Sequence, residues 1–230
     1  MQYDLANMTS PEAAEAVARS RTAVLPIGSI EQHGPHLPNG TDTFAAELVA
    51  REIADRLDAV YAPFGPYGVT PIHAGHPGTV TLRRETFEAL LTDICTELIR
   101  MGVETFVLVN WHEGNIASMN AVATDLQDRY DCTFVAAQAC YVAQRLYRDE
   151  GGELTHGGGI ETLAMLAHDP ELVKTERAGE PWLRSLRTTS LMSSRFVMSA
   201  PPSPNVPRFF WMMKLVATAS LYSPCFQPGP

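Results

Sequence analysis

Thr105-Phe106-Val107-Leu108-Val109 is a continuous apolar run rich in β-branched residues, and Asn110-Trp111-His112-Glu113-Gly114-Asn115 follows it directly. From Phe106 on the segment is apolar at every position and leaves no face for water, so it predicts a central strand of a parallel sheet covered on both sides. In such sheets ligands bind beyond the carboxyl ends of the strands. The polar run after Val109 therefore falls where chemistry is expected.

Working outward, Thr22 to Ile27 reads as a second buried strand, Thr133 to Ala137 as a third, and Val60 to Ala62 as a short fourth. Helices separate them. Ala45, Val49, Ile53 and Leu57 recur every fourth position within Thr43 to Leu57, with charged residues on the opposite face. Phe87, Leu90, Leu91, Ile94, Leu98 and Met101 keep three- and four-residue spacing, and Gly102 follows as a C-terminal cap. Asn115 to Tyr130 and the stretch after Gly159 read as further helices, and Ser10-Pro11-Glu12 as the N-cap, first position and acidic first turn of a short one. Pro63 to Thr79 holds too many Gly and Pro residues for regular structure and predicts an exposed loop. Strand alternating with helix gives the fold class: α/β, a mostly parallel sheet with right-handed crossovers and helices on both faces.

The 230 residues suit a single domain, residues 1–230, with 45% apolar and 19% charged residues. The segment 181–230 is atypical: no Asp or Glu follows Glu180, while Pro, Ser and aromatic residues accumulate. A net charge of −9 argues against nucleic acid as a partner, because such binding depends on Lys and Arg contacts to phosphate. Cys95, Cys132, Cys140 and Cys225 show neither CxxC nor zinc-finger spacing and read as reduced packing residues, which places the chain in the cytoplasm. No apolar run approaches the ~18 residues of a membrane span, and the amino terminus lacks a signal-peptide pattern.

Three runs carry candidate chemistry. Gly28-Ser29-Ile30-Glu31-Gln32-His33-Gly34-Pro35-His36-Leu37-Pro38 leaves the first strand and ends at Gly40-Thr41-Asp42 before a helix. Glu31 and His33, two apart on extended backbone, project together, and Asp42 returns at the loop's end. Carboxylate, imidazole and carboxylate suit Zn²⁺, Mn²⁺ or Fe²⁺. The bland alternative is a polar loop that merely contains these residue types. His112 and Glu113 end the central strand; there the alternative is that Asn110 and Asn115 cap the next helix and His112 bonds locally. In His156-Gly157-Gly158-Gly159-Ile160-Glu161-Thr162 a histidine precedes a glycine turn and a carboxylate opens the next helix; without GK[ST] or GxGxxG, phosphate cradling is weakly signalled. The loop run His73-Ala74-Gly75-His76-Pro77-Gly78-Thr79 reads equally as substrate contact or ordinary surface, and His168 as a surface or cap residue. Six of the seven histidines lie in these four runs, which is more clustering than a satisfied core explains.

These residues resemble the creatininase family in their order: GSIEQHGPHLPNGTD, then an HPGT loop, an asparagine-flanked His motif, and an HGG…ET run, over about residues 22–170. The resemblance implies an α/β sandwich assembled into homo-oligomers, hexamers among them. The activities it implies are opening of a cyclic amide, deformylation of a formamidopyrimidine and trimming of a precursor peptide. By position it implies Glu31, His33, Asp42 and His112 as metal ligands, with Asp42 bridging two divalent ions. Two departures stand out. Creatininase carries a ligand Glu two residues after its matching histidine, where this chain has Gly114, and other members carry one three residues after the match to His156, where it has Gly159. Either Glu113 or Glu161 then completes the second metal site, or the site holds one ion. Glu161 is the favoured ligand, Glu113 a candidate base, and His156 or Glu113 the proton donor to nitrogen.

The function expected is metal-dependent hydrolysis of a C–N bond in a small amide, cyclic amides included, by metal-activated water. Formamide hydrolysis and peptide trimming are the variants of that reading. A metal-binding, inactive family member with an assembly or sensor role is the alternative of another class. Trp111 and the region of Trp182 are candidate walls for a planar substrate, although aromatics more often pack.

Overall fold

The structure is a computed structural model and describes residues 3–179. Four parallel strands form one sheet in the order β2-β1-β3-β4: β1 is Thr22–Ile27, β2 Val60–Tyr61, β3 Thr105–Asn110 and β4 Thr133–Gln138. The β-branched run is central, with Thr105 to Asn110 in register with Thr22 to Ile27 on one side and Thr133 to Gln138 on the other.

Pleating sends alternate residues to opposite faces. Val24, Val107 and Val109 pack with helices α2 (Thr41–Leu57), α5 (Ala139–Gly151) and α6 (Gly159–His168). Ala23, Leu25, Ile27, Phe106 and Leu108 pack with α1 (Ser10–Ser20), α3 (Arg84–Arg100) and α4 (Ile116–Arg129). The chain is thus α/β with helices covering both faces, as the doubly buried strand requires.

Several boundaries differ from expectation. Thr9, not Ser10, caps α1, in a reciprocal capping box with Glu12. Helix α5 is additional to the expected elements, although its buried Cys140, Ala143 and Tyr147 keep helical spacing. The loop from Pro63 to Thr79 is not uniformly exposed: Phe64, Val69 and Thr70 are buried, and Pro71–His73 forms a 3-10 turn. The residues from 180 onward, including Trp182, lie outside the described residues. Trp111, offered as a substrate wall, is 2% exposed and belongs to the core against α2, α5 and α6.

Candidate metal centre

Beyond the carboxyl ends of β1 and β3, three loops and two helix starts converge. Gly28 makes the first approach possible. A Cβ there would lie 2.4 Å from Thr43 Cα, so only glycine lets the first turn of α2 press against the end of β1. That contact puts Asp42 beside Ser29, whose hydroxyl donates to Asp42 Oδ2 at 2.8 Å. Asp42 and Glu161 both occupy first turns of helices, where the backbone dipole favours negative charge.

Asp42 is the hub. Its Oδ1 lies 3.2 Å from His33 Nε2 and its Oδ2 lies 3.1 Å from His112 Nδ1. Glu31 Oε1 stands 3.4 Å from the same His112 nitrogen, and Glu161 Oε2 stands 3.6 Å from His33 Nε2. Three ligand groups result, Glu31–Asp42–His112, His33–His156–Glu161 and, toward the loop, Glu31–His73–His156, and Asp42 joins the first to the second through His33. Ligands held about 2.05 Å from one tetrahedral ion sit about 3.3 Å apart, which is the separation these donor atoms keep.

Outer hydrogen bonds select the inward-facing nitrogen of each imidazole. His33 Nδ1–H donates to the Glu31 carbonyl at 3.0 Å, leaving the Nε2 lone pair toward Asp42. His112 Nε2–H donates to the Val69 carbonyl at 3.0 Å, leaving Nδ1 toward Asp42 and Glu31. Such partners fix tautomer and orientation in metal sites. Thr70 Oγ1 donates to Glu31 Oε2 in a short hydrogen bond, and the Gly157 N–H donates to Glu161 Oε2 at 2.5 Å.

The electrostatics show what the donor set lacks. Burial opposes charge on His33, yet Asp42, Glu161 and Glu31 outweigh it and raise the imidazole to about 10. His112 is likewise raised to about 11, burial being overcome by Asp42 and Glu31. Burial pushes Glu161 up to about 8, with Asp42 and Glu31 adding to it and His33 opposing. Despite burial, the two imidazoles hold Asp42 below its ordinary range. Three buried carboxylates thus call for positive charge, which divalent cations would supply while displacing the imidazole protons.

The structure brings Glu31, His33, Asp42, His112, His156 and Glu161 together. Glu113 is placed apart: it is exposed, accepts a hydrogen bond from Tyr141 Oη at 2.8 Å, and enters none of the ligand groups among the described residues. Asn115 gives no side-chain cap to α4. Instead its amide joins loops, accepting from the Val69 N–H and donating to the Gly28 carbonyl, both at 2.9 Å. Ser29 and Gln32 stand in the first motif but their residue types do not mark them as ligands, and Thr70 carries no local sequence signal. His168 is exposed and stacks on Phe44 with centroids 4.6 Å apart, in keeping with its surface reading.

Comparison with known proteins matches residues 6–208 to the family described as "Creatininase: Creatinine amidohydrolase". The chain belongs to the creatininase family. It is 33% identical over 159 residues to the mycofactocin precursor peptide peptidase of Mycolicibacterium smegmatis, covering 66% of this chain and 60% of that protein. It is 30% identical over 183 residues to the creatinine amidohydrolase of Pseudomonas putida, covering 71% and 70%. The chain thus spans about three-fifths of the length of the peptidase it matches. A creatininase carrying a tryptophan-to-phenylalanine substitution superposes with a TM-score of 0.73 at 26% identity, covering 94% of this chain and 95% of that one. Creatininase-family members are hydrolases, and the relatives' names include an amidohydrolase and a peptidase.

Proposed function

We propose that this creatininase-family chain is a metal-dependent amidohydrolase that cleaves the C–N bond of a small amide, cyclic amides included. The observation that carries the reading is Asp42, whose two oxygens each face a different imidazole and so join two buried donor groups. Glu31, Asp42 and His112 would hold one ion, and His33, Glu161 and Asp42 a second. Zn²⁺ and Mn²⁺ both fit carboxylate and imidazole donors. Bound there, divalent cations supply Lewis-acid polarisation of the carbonyl and lower the pKa of water.

His156 handles the proton. Its Nε2 meets the Gln32 carbonyl at 2.5 Å, so Nδ1 faces inward, 3.4 Å from Glu31 Oε1. Burial first, and the neighbouring His33 second, push this imidazole down to about 4, which keeps it neutral at pH 7. It takes a proton from the attacking water and returns one to the leaving nitrogen. Glu113, turned toward Tyr141, has no part in this scheme.

The test is metal content by plasma mass spectrometry, joined to turnover on lactams, formamides and peptides by the wild type and Asp42→Ala. About two ions per chain and hydrolysis abolished by Asp42→Ala are expected. Stoichiometric metal with no turnover on any substrate would favour the inactive, metal-binding role, and no metal even after reconstitution would overturn the site.

A further inference from the structure

The loop histidines were left without a role by the hydrolytic scheme, and one of them is built into the site. His73 stacks on His156 with centroids 4.1 Å apart and planes 16° from parallel, and its Nε2 lies 4.0 Å from Glu31 Oε1. The inward nitrogens of both rings therefore converge on the same glutamate oxygen. The loop is tied down on both sides of this ring. The His73 N–H donates to the Thr70 carbonyl, the Thr79 hydroxyl accepts from the Gln32 N–H at 3.0 Å, and the Val80 N–H donates to the Ile30 carbonyl at 3.0 Å.

Gln32 decides which protons the two rings carry. A backbone N–H can only donate, and that of Gly34 donates to Gln32 Oε1 at 3.0 Å, which fixes the orientation of the side-chain amide. Its Nε2 must then donate to His73 Nδ1 at 3.1 Å. With Nδ1 accepting, the neutral His73 ring carries its hydrogen on Nε2, aimed into the site. His156 Nε2 lies 3.0 Å from Gln32 Nε2 and 2.5 Å from the Gln32 carbonyl, and because a carbonyl can only accept, the ring carries its hydrogen on Nε2 and turns the Nδ1 lone pair inward, the complementary form. One glutamine thus sets an acceptor and a donor side by side.

We propose that His73 is a further catalytic residue, a neutral imidazole whose Nε2–H donates to the substrate oxygen that gains negative charge during amide hydrolysis. The proposal rests on the hydrolase reading above. When the water oxygen bonds to the carbonyl carbon, the C=O π pair moves onto oxygen and His156 takes the water proton. His73 holds that oxyanion by its hydrogen bond. The pair then re-forms C=O as the C–N bond breaks, and the nitrogen leaves with the proton from His156.

The experiment uses the full chain, zinc-loaded and metal-free, with ¹⁵N-labelled histidine, and the variants His73→Phe, which keeps the stack, and His73→Gln, which keeps an N–H donor. The expected spectrum shows His73 protonated on Nε2 in both forms. The expected kinetics show kcat falling by about 10²- to 10³-fold in His73→Phe at unchanged zinc content and KM, the loss typical of one oxyanion donor, with most of it restored in His73→Gln. A proton on Nδ1, or zinc bound to His73 Nε2, overturns the assignment without any turnover being needed. Parental kcat in His73→Phe overturns the role of His73 alone, whereas a wild type inert on every amide overturns the hydrolase reading and the catalytic role with it.

Discussion

Placing at the matching position the glutamate that creatininase carries two residues after its site histidine should damage the candidate metal centre of this chain rather than improve it. In this chain the position is Gly114, and a Cβ there would lie 2.1 Å from the Val69 carbonyl oxygen and 2.4 Å from His112 Nε2. Non-bonded carbon contacts settle near ~3.5 Å, so one neighbour has to retreat by roughly 1 Å. What gives way is the 3.0 Å bond from His112 Nε2–H to the Val69 carbonyl, the bond that turns His112 Nδ1 toward Asp42 and Glu31. Leaving those two buried groups unpaired costs about 1–3 kcal/mol of stability. Loss of an outer partner of a metal histidine costs about 10- to 100-fold in metal affinity. Both Gly114→Ala and Gly114→Glu should show these losses, because the clash begins at Cβ. The assay is zinc affinity by competition with a fluorescent chelator, beside urea unfolding of the metal-free protein. Tighter zinc binding by Gly114→Glu, or Gly114→Ala matching the parent in both measurements, would refute the reasoning.

Three further outcomes are expected. Glu161→Gln should leave the Glu31–Asp42–His112 group intact and weaken the group at His33, so metal analysis should fall from two ions per chain toward one; retention of two would remove Glu161 from the ligand set. Burial pushes the thiols of Cys95 and Cys140 up to about 12, leaving roughly one part in 10⁴ ionised at pH 8. Maleimide should therefore label neither until the chain unfolds, as read by peptide mass mapping. Because the folded-state pKa lies above the ordinary 9.0, this contribution to stability is complete below pH 9 and declines as pH rises toward 12, by about 1.4 kcal/mol per unit for each thiol. A urea midpoint that stays flat from pH 9 to 11 would contradict it.

The local sequence determined more of the fold than of the site. A short run such as Phe106 to Val109, apolar at every position and rich in β-branched residues, fits the interior of a covered parallel sheet, and four-residue spacing in Ala45, Val49 and Ile53 fits a helix. Glu31, His33, Asp42, His112, His156 and Glu161 were legible because they are chemically conspicuous and stand at loop and helix starts after strands. The sequence favoured Glu161 over Glu113 as the carboxylate that joins the histidines only through the family resemblance, because both are equally conspicuous as residue types. Only the packing of α6 against α2 and α5 carries Glu161 to 3.6 Å from His33, while Glu113, at the solvent edge of its turn, meets Tyr141. The supporting set is likewise tertiary. Thr70, the Val69 carbonyl, Gln32 and His73 act through hydrogen bonds and ring contacts that mostly link residues about 40 to 125 positions apart along the chain, with geometry that no local pattern encodes. Residue type and period are properties of the chain, whereas the direction in which an imidazole points is a property of whatever the fold places behind it.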